Sequence, residues 1–147
     1  MRIYLDACCL GRLTDDQSQR RIREEAEAVE GILRLVREGR AAWVGSAVLA
    51  VEISRNPDPD RRRDAAAIHL HASEVITPNG DDMIRAEFLQ SLGFGAFDAL
   101  HLACAERGAV QVFLTTDDHL LRRARQHAGE LRIRVENPLF WYQEVQI

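Results

Sequence analysis

The feature that most constrains this chain is its rhythm: short apolar runs alternate with segments of helical period. Ile3-Tyr4-Leu5, Ala42-Trp43-Val44, Val75-Ile76-Thr77 and Gln111 to Leu114 each read as a strand, and Leu131 to Val135 reads as a last one. The strongest helix is expected over residues 18–38. There Ile22, Ala26, Val29, Leu33 and Val36 form one apolar stripe among charges, and Gly39 supplies a stop. Further helices are expected from Ala47 to about Ser54 with Ser46 as cap, from Asp60 to about Ser73, and from Asn79 or Asp81 to Leu92. Two more are expected from Ala96 to Arg107 and from about Asp118 to His127. Strands that alternate with helices over short connections imply a mostly parallel central sheet with helices on both faces, a three-layer α/β/α sandwich. The aromatic-rich segment from Asn137 to Ile147 is expected to dock as an edge element, and residues 1–147 read as one domain.

Three carboxylates interrupt the apolar runs. Asp6 lies between Ile3-Tyr4-Leu5 and Ala7-Cys8-Cys9-Leu10; Glu52 lies between Val51 and Ile53; Asp98 follows Phe94-Gly95-Ala96-Phe97. A fourth acidic site, Asp117-Asp118, closes Val112-Phe113-Leu114-Thr115-Thr116. A buried carboxylate is costly unless it binds a cation, pairs with a base or stays protonated. In a parallel α/β sheet, sites form beyond the carboxyl ends of the strands, where Asp6 and Asp117 would stand. Glu52 and Asp98 would lie in the early turns of helices facing that edge. Each acid also has a structural explanation by itself. Asp6 can bond the next turn, Asp98 suits a helix start, Asp117 can cap its helix, and Glu52 can face solvent. All four together at one sheet edge point instead to a site. Carboxylate ligands suit Mg²⁺ or Mn²⁺ rather than zinc, and such an ion can activate water for in-line attack on a phosphodiester.

Composition bounds the alternatives. Hydrophobic residues make up 46% and charged residues 29% of the chain, which suits a globular protein. The formal charge of −4 does not advertise nucleic-acid binding, but acids belonging to a metal site would be neutralised in use. All 19 basic residues are arginine. The absence of lysine excludes a Schiff-base lysine or a P-loop lysine and disfavours receiver-like or haloacid-type phosphotransfer domains. Cys8, Cys9 and Cys104 offer no disulfide framework and no CxxC pair. A zinc site from Cys8, Cys9, His101 and Cys104 is a weaker alternative to three small buried thiols. The opening Met1-Arg2-Ile3-Tyr4-Leu5-Asp6 lacks the apolar core of a secretory signal, and no apolar run is long enough to span a bilayer. The expectation is a cytoplasmic protein without a membrane partner. His101 and His119 lie near the acids in sequence and read as packed residues.

Phe97-Asp98-Ala99-Leu100-His101-Leu102-Ala103, followed by Val112-Phe113-Leu114-Thr115-Thr116-Asp117, resembles the PIN-domain ribonucleases, including the VapC-type toxins of toxin–antitoxin pairs. Tyr4-Leu5-Asp6 is similar to that family's first strand and acid, and Ser46-x-x-Leu49-x-x-Glu52 to its second motif. The likeness covers nearly the whole chain. It implies a PIN-like α/β/α sandwich, a metal-dependent endoribonuclease acting on RNA, frequent homodimers and an antitoxin protein as partner. It also implies Asp6, Glu52, Asp98 and Asp117 as catalytic metal ligands, with Asp118, Ser46 and Thr115 as assisting residues. Arg122, Arg123 and Arg125 follow the site directly and are the expected RNA phosphate contacts. One departure stands out. Many relatives follow the first acid with Thr or Ser, whereas this chain has Ala7 and Cys8, which carry no hydroxyl. The rival implication is a catalytically silent PIN scaffold that binds a protein or RNA partner.

Overall fold

The structure is a computed structural model and describes residues 1–146; Ile147, the last residue of the expected edge element, lies outside them. Five strands form one sheet in the order β3-β2-β1-β4-β5, with every pairing parallel. They are β1 (Arg2–Leu5), β2 (Ala42–Ser46), β3 (Glu74–Ile76), β4 (Val112–Leu114) and β5 (Arg134–Glu136). Side chains alternate across the sheet as the period of a strand requires. Ile3, Leu5, Trp43, Val112 and Leu114 enter one core; Tyr4, Val44 and Phe113 enter the other. The first core is covered by α1 (Ala7–Arg12), α2 (Arg20–Arg37) and α8 (Pro138–Val145), and the second by α5 (Gly80–Ser91), α6 (Ala96–Arg107) and α7 (Asp118–Gln126). The helix α3 (Ala47–Ser54) contributes Val48 to one core and Leu49 and Ile53 to the other, and α4 (Pro59–His69) leans on α3. This is the expected three-layer α/β/α sandwich.

Local chemistry explains the boundaries. The Ser46 hydroxyl accepts from Leu49 N at 3.0 Å and starts α3 where expected. Asn79 and Asp82 form a reciprocal capping box at the start of α5. The α4 helix begins at Pro59 rather than Asp60, because Asp58 caps it, and it ends at His69, short of Ser73. Only Arg134–Glu136 pair as β5, because β4 offers three residues to pair with; Leu131 and Ile133 pack against the core from the preceding loop. The short helix α1 was not expected from the sequence, and Asp6 caps it.

The segment after Asn137 is a helix, not an edge element. Asn137 caps it, Pro138 occupies its first turn, and Trp141 is buried against α2. The reason lies in α2, which buries Ala28, Ile32 and Leu35 beyond the expected stripe and so needs a second cover. Gly31 allows the close approach: a Cβ there would fall 2.2 Å from the Tyr142 ring. Within the expected stripe, Ala26, Val29 and Leu33 are buried, and Val29 and Leu33 belong to the first core.

One buried acid ties these elements together. Glu25, 1% exposed, accepts from Arg12 Nε at 2.8 Å, Arg21 Nε at 3.3 Å and Asn137 Nδ2 at 2.6 Å. It thereby joins α1, α2 and the cap of α8. Removing it strands the buried Asn137 amide and weakens both arginine contacts. Glu25→Ala is expected to destabilise the fold by roughly 2–3 kcal/mol, read as a lower urea midpoint at unchanged slope.

Candidate functional site

The centre is built at the carboxyl end of β1. Asp6 N donates to Leu114 O at 2.9 Å, so the sheet's hydrogen bonding holds the residue that follows the strand. Its side chain, 5% exposed, accepts from Ala7 N at 2.9 Å and from the Thr115 hydroxyl at 3.0 Å. The Cys8 thiol adds a weak donor to the same Oδ2 at 3.5 Å. Thr115 therefore supplies the hydroxyl that Ala7 and Cys8 lack, from the end of the neighbouring strand.

From α3, Glu52 reaches toward α6, where His101 Nε2 lies 3.1 Å from its Oε2 and 4.0 Å from Asp6 Oδ1. The ring is fully buried, and its Nδ1 meets the Tyr4 hydroxyl at 2.5 Å; that hydroxyl meets Ser46 Oγ at 2.6 Å. A continuous polar chain thus runs Glu52–His101–Tyr4–Ser46 through the core. Asp6, Glu52 and His101 each offer a ligand atom within 4.8 Å of the others, the one group of metal-ligating side chains so gathered among the described residues. No cysteine belongs to it. Burial pushes the Cys9 thiol up and that of Cys104 up to about 12, and Cys9 Sγ is occupied with Leu114 O, so the zinc alternative is not assembled.

The remaining acids stand around this group. Asp98 is half-buried in the first turn of α6. Its carboxyl is pushed up to about 6, first by burial and then by the negative charges of Asp6, Asp117 and Glu52, with His101 opposing. Asp117 is exposed and caps α7 through His119 N and Leu120 N. Asp118 turns away: its carboxylate takes a two-pronged contact from Arg21 at 2.8 Å on each oxygen. Arg122 and Arg123 line a cavity of about 190 Å³ together with Asp98, His119 and Gly93. Arg125 lines a different cavity, of about 430 Å³, beside Arg21 and Asp118.

Electrostatics separates Asp6 from the other buried acids. Glu25 is held by Arg12 and Arg21, and Asp82 by Arg107. Among the described residues no arginine touches Asp6. Burial raises its pKa, the nearby Glu52 charge raises it further, and His101, Thr115 and Ala7 N pull the other way. For His101, burial favours the neutral ring, but the Glu52 hydrogen bond and the charges of Asp6, Glu52 and Asp98 outweigh it and raise the pKa. The arrangement is short of positive charge; with His101 engaged by Glu52 and Tyr4, its free donors are carboxylate oxygens, a set that fits a hard divalent cation. By sequence, His101 reads as a packed residue, or as one ligand of the weaker zinc alternative, and not as a partner of Asp6 and Glu52. The one signal was its position three residues after Asp98, on the same face of a helix.

Residues 3–126 match the PIN domain family. The chain belongs to that family. The same fold is found in VapBC2 from Rickettsia felis, bound to a DNA fragment from its promoter, at 13% identity and a TM-score of 0.63 over 93% of this chain and 98% of that one. It is found in FitAcB from Neisseria gonorrhoeae at 14% identity and TM-score 0.59, over 92% and 97% of the two chains. It is found again in VapBC-1 from nontypeable Haemophilus influenzae at 16% and 0.58, over 94% and 98%. No curated protein sequence matches this PIN domain significantly. No helix among the described residues is long and apolar enough to cross a membrane.

The crowding of acids sets a sign for stability. A carboxyl whose pKa is raised on folding stabilises the fold below its unfolded value, and loses that contribution as pH rises through the folded value. For Asp98 the loss occurs between 3.8 and about 6. Above that range Asp98→Asn is expected to stabilise the cation-free protein, by roughly 1–2 kcal/mol once solvent screening is allowed for. Thermal melts in EDTA on either side of that range check this: the gap between variant and unsubstituted protein should open only on the alkaline side.

Proposed function

We propose that this PIN domain is a divalent-metal-dependent endoribonuclease that hydrolyses RNA phosphodiester bonds and serves as the toxin of a toxin–antitoxin pair in the cytoplasm. The observation that carries the reading is Asp6, a buried carboxylate without an arginine, gathered with Glu52 and His101 at the end of the central strand. Asp6, Glu52, Asp98 and Asp117 would hold the ion, Mg²⁺ or Mn²⁺. Bound there, such an ion would supply Lewis-acid polarisation of the phosphodiester and acidify an attacking water.

The protein's own part is positioning. Thr115 and Ala7 N fix the Asp6 carboxylate by donating to it. His101, anchored by Tyr4, fixes the Glu52 carboxylate from behind. Ser46 serves twice, starting α3 and closing the Tyr4 chain, so the helix bearing Glu52 and the residue orienting it share one anchor. Thr115 also accepts from Asp117 N at 3.1 Å, which links the rim acid to the same support. Arg122 and Arg123 are proposed phosphate contacts in the cavity beside Asp98, with Arg125 reaching a more distant phosphate and Asp118 holding Arg21. The relatives named VapBC and FitAcB support an antitoxin partner, and the family resemblance supports a homodimer.

A second reading is favoured by His101. A protonated imidazole between Asp6 and Glu52 balances part of their charge without a metal, as a silent scaffold that binds a protein or RNA partner would need. Calorimetry with Mn²⁺ separates the two. The ribonuclease reading expects binding that Asp6→Asn weakens strongly; absence of binding to the folded protein favours the scaffold. The activity test is cleavage of single-stranded RNA. Asp98→Asn is expected to reduce it roughly a hundredfold or more with an unchanged circular dichroism spectrum, and equal cleavage by both proteins, free of contaminating nuclease, would refute the reading.

A further inference from the structure

The two helices that frame the centre meet again where α3 ends at its C-cap Arg55 and α6 begins with Phe97 in its first turn. Besides the meeting of Glu52 with His101, these helices are joined by Arg55 on Phe97. The Arg55 guanidinium carbon lies 4.9 Å from the centroid of the Phe97 ring. Arg55 is exposed, and Phe97 immediately precedes Asp98. Several exposed arginines of this chain pair with carboxylates, as Arg20 does with Glu24 and Arg134 with Glu144. Among the described residues, the Arg55 side chain has no hydrogen-bond or ion-pair partner, although the acidic centre is one helical turn away. On the other flank, Arg122 and Arg123 also lack a carboxylate partner and line the cavity at Asp98. The flanks follow from the topology: α3 continues from β2 and α7 from β4, the two strands on either side of β1.

We propose that Arg55, seated on Phe97, binds a backbone phosphate of single-stranded RNA on the flank of the centre opposite Arg122 and Arg123. The inference rests on the ribonuclease reading. One divalent ion balances only part of the charge of four acids, so cations that meet the substrate's phosphates on both sides of the edge would favour its binding there. The guanidinium carbon rests over the Phe97 ring and no acceptor among the described residues takes the Arg55 N–H groups, which leaves them free to form a fork on phosphate oxygens. Arg55 is a positioning residue and stays outside the metal ligands.

The test is fluorescence anisotropy of a fluorescein-labelled single-stranded RNA oligonucleotide across a salt series, in the Asp98→Asn background so that the RNA stays intact. Adding Arg55→Ala is expected to weaken binding about tenfold and to flatten the slope of log affinity against log salt by about 0.7. Arg34→Ala, an exposed arginine of α2 far from the edge in sequence, serves as the control and is expected to change neither. Equal effects of the two substitutions, or a lower melting temperature for Arg55→Ala with an unchanged salt slope, would overturn the proposal and leave the ribonuclease reading standing. If the Asp98→Asn protein binds no RNA and the unsubstituted protein cleaves none, the ribonuclease reading fails and the role of Arg55 fails with it.

Discussion

Because β1 is hydrogen-bonded to β2 on one side and to β4 on the other, Asp6 has little freedom to escape its neighbours. Its backbone N–H is still engaged with Leu114, and its side chain is enclosed by Thr115, Cys8 and the start of α1. A surface carboxylate that meets another negative charge swings into water. Asp6 cannot, so the electrostatic cost must be met where it stands, by a proton, by the His101 imidazolium or by a cation. Burial raises the pKa of Asp6 itself, and its charge helps to raise that of Asp98, after that residue's own burial, and that of His101, against its burial and after the Glu52 hydrogen bond.

The contrast inside the same molecule makes the argument sharper. Glu25, Asp82 and Glu106 are also withdrawn from solvent, and each is met by an arginine in close geometry. Such pairs lock elements together and leave no unmet charge. The edge beyond β1 is arranged differently: its acids face one another, and the nearby arginines, Arg55, Arg122 and Arg123, stay at the perimeter without a carboxylate. The arginines of this chain thus include internal clamps, such as Arg12 on Glu25 and Arg85 on Glu106, as well as the three at this rim.

Much of this was legible from residue order. The alternation of short apolar runs with helical periods gave the sandwich, because a strand covered on both faces must be apolar throughout. Ser46 and Asp117 announced their helices as caps. The partners of His101 were not legible, since Glu52 and Tyr4 lie 49 and 97 positions away. Neither was the fate of Asp118, whose partner Arg21 is 97 positions distant. Periodicity reports which face of an element is buried, but not which polar group waits there. The helix after Asn137 is a different case. Its signal, an Asn cap followed by Pro, is present, but Phe140, Trp141 and Tyr142 suit a pleated edge by propensity, and the need of α2 for a second cover decides for the helix.

Glu25 has a reach that its burial conceals. It shares Arg21 with Asp118 and with the carbonyl of Thr116, the residue just before Asp117, and it shares Asn137 with the first turn of α8. The loop that presents the outermost acid is therefore moored to the same post as a helix on the far layer of the sandwich. Slack introduced at that helix, by a cut or by a molecule prising it off α2, would travel down the mooring and loosen the lip of the acidic edge while leaving the strand beneath it in place.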